Sequence, residues 1–127
     1  MIKKIYYGLI FVLLSFPLVA ENHGKSSINS DFEKAIKLVE KKNFFEAFKV
    51  FSDLAEADVP EAQYNLSLLF FNGLGAPKNY KSALYWAWQA YLNEHKSALS
   101  NVNSIFDVTN EDLRNKVANQ IIEELLV

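Results

Sequence analysis

The stretch "AQYNLSLLFFNGLGAPKNYKSALYWA", residues 62–87, decides the fold. Its first half, through Phe71, is apolar enough for a buried helix, yet it stops at Asn72-Gly73-Leu74-Gly75. Glycine accepts the left-handed backbone that ends a helix, and Pro77 keeps the helix from resuming early. Behind Asn79 a second set follows, with Tyr80, Ala83, Leu84, Ala87 and Tyr91 on one broad face. The stretch therefore reads as two helices joined by a short hairpin.

Upstream, Asp58-Val59-Pro60-Glu61 is expected to start the first of these helices. Asp58 would supply a capping carboxylate, and Pro60 lacks an amide proton that the first turn does not use. Before it, Phe44, Ala47, Phe48, Phe51, Leu54 and Ala55 form one helical face, and Lys41-Lys42-Asn43 separates it from Phe32, Ala35, Ile36, Leu38 and Val39. Ser30-Asp31-Phe32-Glu33 has the form of a capping box, so the polar residues 21–30, "ENHGKSSINS", are expected to be a flexible leader. Downstream, His95 to Phe106 reads as a fifth helix. Thr109-Asn110-Glu111-Asp112 caps a sixth, striped by Leu113, Val117, Ile121 and Leu125. No segment alternates with period two, so the fold class is all-α.

The helices repeat. A shift of 36 residues places Phe44 on Tyr80, Ala47 on Ala83, Phe48 on Leu84 and Leu54 on Ala90. The same shift places Ala62 on Ala98, Asn65 on Asn101, Leu66 on Val102, Leu69 on Ile105 and Phe70 on Phe106. One period that aligns two kinds of helix marks a helix-pair solenoid, in which each pair hides its apolar face against the next. The pairs fall at 31–57, 60–92 and 95–127, the last as a C-terminal cap.

The residues Ala62, Gln63, Tyr64, Asn65, Leu66, Phe70, Asn72, Gly73, Gly75, Pro77, Tyr80 and Ala83 carry a family resemblance. They are similar to the Sel-one-like repeat, a relative of the tetratricopeptide repeat, whose pattern runs Ala-Gln-Tyr-Asn-Leu-Gly, an aromatic, Asn-Gly-x-Gly-x-Pro and an aromatic-x-x-Ala helix. Ser67 departs from it, standing where the family usually has a glycine that lets helices approach closely. The resemblance implies a short α-solenoid that acts as a non-catalytic interaction module with a protein or peptide partner.

The N-terminus has a different grammar. Lys3 and Lys4 precede an apolar run from Ile5 to Phe16, and Pro17-Leu18-Val19-Ala20 ends on a small residue. Residues 1–20 therefore read as a secretory signal cut near Ala20, too short in its apolar run for a stable span. That implies an exported protein, periplasmic or secreted, with no membrane insertion after cleavage. Removal takes two of the 13 basic residues and none of the 15 acidic ones, leaving 11 against 15 and a net charge of −4. This balance gives no basic field for nucleic acid. With no cysteine, disulfides and thiolate metal sites are excluded.

No catalytic constellation is visible. Gly73-x-Gly75 follows a helix rather than a strand and so lacks the context of a nucleotide loop. His23 and His95 are the only histidines and do not pair at ligand spacing, so neither a metal nor another cofactor is expected. No serine sits in a Gly-x-Ser-x-Gly elbow. Asn65-Leu66-Ser67 is a glycosylation sequon inside a helix and reads as accidental. The binding candidates are Tyr64, Leu68 and Phe71, at positions that line the groove of tetratricopeptide-like arrays, together with Tyr85 and Trp88. These last two occupy positions usually polar in the resembled family. They suit either packing against the terminal helices or an exposed aromatic anchor. The alternatives to a docking module are an envelope hydrolase of cell-wall material, which requires carboxylates paired in a cleft, and a membrane-tethered adaptor with an uncut N-terminus.

Overall fold

The computed structural model describes residues 21–127, all six of whose regular elements are helices. They are α1 (Glu21–Glu40), α2 (Phe44–Glu56), α3 (Pro60–Asn72), α4 (Tyr80–Leu92), α5 (Ala98–Asp107) and α6 (Glu111–Leu126). The expected signal segment lies outside the described residues. No helix among them is long and apolar enough to cross a membrane.

The period of 36 is built into the backbone. Helices α2 and α4 each have 13 residues, and 36 positions separate both their starts, Phe44 and Tyr80, and their ends, Glu56 and Leu92. Ala47 and Ala83 are wholly buried, as are the next-turn equivalents Phe51 and Ala87. The correspondence continues into α3 and α5, where Ala62 and Ala98 are buried and Leu66 and Val102 match. Even the turns repeat. Asp58 and Glu94 both take positive φ, +60° and +68°, and the residue after each donates its amide to the carbonyl of Leu54 or Ala90. The left-handed residue closes the preceding helix in both turns.

Each helix packs on the next, α1 on α2, α2 on α3 and α3 on α4, while α4 carries both α5 and α6. The last two helices lean on α4 rather than chiefly on each other. Arg114 ties them by donating to the carbonyls of Phe106 and Thr109 while lying over the Phe106 ring. One core is centred on Ala47, Phe51, Leu54 and Leu66, and a second on Leu84, Val102, Ile105 and Val117; Phe70 of α3 packs against both. Each core is closed by aromatic edges, Phe32 on Phe51 at 5.8 Å and Phe48 on Phe70 at 5.0 Å in the first, and Trp88 on Phe106 at 6.2 Å in the second.

The hairpin behaves as its residues require. Gly73 caps α3 at φ +67°, and the Asn79 side chain accepts from the amide of Ser82 to start α4. Gly75, at φ +78°, lies so close to the start of α2 that a Cβ there would overlap the Phe44 carbonyl. Its small size is thus fixed by another helix as well as by its own turn.

Three local expectations are corrected. Residues 21–30 are not a leader: they are the first half of α1. The helix has a tertiary reason to run past Ser30, because Ile28 packs on the first core and extends the stripe Phe32, Ala35, Val39 by one turn. Ser30 is therefore mid-helix and caps nothing. Asp58 likewise does not cap α3, since the cap position falls on Val59 and the Asp58 carboxylate turns to Gln63 instead. The fifth helix begins at Ala98, leaving His95 in the turn.

Candidate functional site

Helix α3 is apolar around most of its circumference, so its neighbours decide which side remains available. Ala62, Leu66 and Leu69 are buried on the core side, and Gln63 and Ser67 are buried polar residues. Gln63 donates to the Ala55 carbonyl at 3.1 Å and accepts from Asn93 at 2.9 Å, linking the turn before α3 to the turn after α4. Ser67 donates to the Ala83 carbonyl at 2.7 Å and accepts from Asn101 at 2.9 Å. One hydroxyl thus joins α3, α4 and α5. The crossing that a glycine would make by close approach is made here by hydrogen bonds.

Tyr64, Leu68 and Phe71 follow one another at four- and three-residue spacing and are all half-buried. Tyr64 stacks on His95, with ring centroids 4.4 Å apart and planes 16° apart, and Phe71 rests on Tyr80 at 5.5 Å. These three candidates share a continuous strip of one helix. Tyr85 and Trp88 lie apart from it on α4, both half-buried and both packed on the second core. The Tyr85 hydroxyl donates to Glu124 of α6 at 2.8 Å, and Trp88 presents its edge to Phe106 of α5 and to Tyr91. Between packing and display, their engagement is with the terminal helices.

A second concavity went unrecognised in the sequence. It measures about 260 Å³ and lies where the end of α2, helix α4 and helix α6 meet, lined by Glu56, Asp58, Tyr85, Trp86, Gln89 and Glu124 among others. Glu124 is 39 residues from Tyr85, so no local pattern could have joined them. Burial and the neighbouring carboxylate of Glu124, with a lesser contribution from Asp58, push the Tyr85 hydroxyl up to about 12. Among the described residues no two carboxylates are hydrogen-bonded to each other, and no group of three side chains could hold a metal ion.

Comparison with known proteins adds a repeat assignment. The Sel1 repeat model matches residues 18–41, which include all of α1, and residues 60–95, which include α3, its hairpin and α4. No curated protein and no solved structure matches the chain. Sel1 repeats are generally protein–protein interaction modules and are typically non-catalytic. The all-α solenoid described above thus carries Sel1 repeats at two segments of its chain.

Proposed function

We propose that this protein is a non-catalytic docking module exported to the cell envelope, where it holds a peptide or single helix of a partner protein along the α3 strip. The observation that carries the reading is the placement of Tyr64, Leu68 and Phe71. They are half-buried in a row, while Leu66, Ser67 and Leu69 beside them are shut inside. Helices packed on both sides fix the strip in advance, so a partner gains apolar contact without ordering the array. Tyr85 and Trp88 contribute by bracing α4 against α5 and α6. Export rests on the Lys3-Lys4 start, the apolar run and Ala20.

Capture from envelope extract with the full chain tests the docking strip. Wild type is expected to retain a partner that Leu68→Glu and Leu68→Glu/Phe71→Glu both lose, with far-UV circular dichroism confirming that the single variant stays helical. The same partner set on all three proteins would refute the strip. The mass of the exported protein tests the leader: cleavage leaves Glu21 or a neighbour first, whereas an uncut mass would favour a tethered adaptor.

A further inference from the structure

The cleft between α2, α4 and α6 lies away from the α3 strip, and its lining is chemically one-sided. Tyr85 and Trp86 form an aromatic corner, their rings crossing at 79° with centroids 5.0 Å apart. Glu56, Asp58 and Glu124 stand around that corner, the remaining lining residues are neutral, and none of the three carboxylates forms an ion pair among the described residues. We infer that this cleft binds an alkylammonium group, carried either by a lysine side chain or by a free amine.

The arrangement favours that class over other cations. A divalent ion needs carboxylates converging on one point, and these do not form such a group. An ammonium on a hydrocarbon stem has less demanding needs. Its methylenes can lie against the Trp86 face, its charge meets the negative faces of two rings, and its three N–H donors reach separate acceptors. Glu124 is the best-placed of these acceptors. Tyr85 and Gln89 donate to its Oε2 at 2.8 and 3.4 Å, and Gln120 donates to Oε1 at 3.1 Å. Those bonds hold the carboxylate in place while leaving it lone pairs for a cation. The volume, about 260 Å³, suits one such group rather than a larger ligand. The raised Tyr85 hydroxyl is consistent with a negative potential across the space.

Titration of the full chain with n-butylammonium, the lysine side chain without its backbone, tests the inference through tryptophan fluorescence. A saturable change is expected, weaker in about 0.5 M salt because the rim is solvent-exposed. Glu124→Gln keeps a carbonyl acceptor for Tyr85 and is expected to bind roughly tenfold more weakly at an unchanged melting temperature, a loss typical of removing one charge-assisted partner. Glu33→Gln, on α1 and outside the cleft, should bind like wild type. A response that never saturates, equal binding by Glu124→Gln, or equal binding of neutral n-pentanol would overturn the inference. Two further probes separate the sources: tighter binding of a doubly capped lysine peptide assigns a protein lysine, and tighter binding of 1,5-diaminopentane assigns a free amine. A negative result leaves the α3 strip, on another face, standing.

Discussion

Restoring the family's glycine at position 67 should weaken this protein. Ser67 is fully buried, and its hydroxyl serves Ala83 of α4 and Asn101 of α5 together. In Ser67→Ala the Ala83 carbonyl keeps its place in the helix ladder, but the Asn101 amide loses its acceptor while only 8% exposed. A buried donor left unmatched costs about 1–3 kcal/mol. Ser67→Gly adds roughly 1 kcal/mol for glycine in a helix interior, giving a total of about 2–4 kcal/mol. At about 5 °C per kcal/mol for a domain near a hundred residues, Ser67→Gly should melt roughly 10–20 °C lower. Asn101→Ala should cost about 1–2 kcal/mol, since Ser67 retains Ala83 as acceptor. The double variant Ser67→Ala/Asn101→Ala should lose less than the sum of its parts, by about 0.5–1.5 kcal/mol, because both substitutions remove one bond. Urea unfolding of the four proteins measures the cycle. Strict additivity, or a Ser67→Gly protein as stable as wild type, would show that the hydroxyl is not what holds the three helices at this crossing.

Gly75→Ala should destabilise by more than about 3 kcal/mol, because the new Cβ meets α2 backbone and the residue also holds a positive φ. Gly24→Ala, in open space on α1, should instead gain up to about 1 kcal/mol, and thermal melts separate the two. Glu94→Gly should raise the melting temperature by a few degrees, since glycine removes about 1 kcal/mol of left-handed strain at φ +68°. The Tyr85 hydroxyl, raised from 10.0 to about 12 in the folded state, favours its protonated form. Its contribution is complete below pH 10 and is lost as pH rises towards 12. Tyr85→Phe should abolish that alkaline loss, as read by unfolding across the same range.

Much of the architecture was legible because helix signals are local. Pro60, Gly73 and Asn79 punctuate the chain through backbone sterics and capping that need no distant partner, and each acts where the sequence places it. The 36-residue shift is legible for the same reason, since equivalent helices need equivalent spacing of apolar residues. The start of α1 was missed because Ser30 imitates a cap, although Ile28, four residues before Phe32, already belonged to the buried stripe. Asp58 was misread because a carboxylate beside Pro60 fits a cap equally well until the backbone before it turns left-handed.

The sequence by itself determined that this is a repeated helical protein, where its helices break, and which faces seek burial. Only the tertiary structure decided that Ser67 replaces close approach with hydrogen bonds, that Gly75 yields to the neighbouring α2, and that Tyr85 meets Glu124 across 39 residues. The division has a physical cause. Helix formation follows from interactions three and four residues apart, whereas a cleft or a shared hydroxyl is made by helices whose mutual placement depends on how all their side chains pack at once.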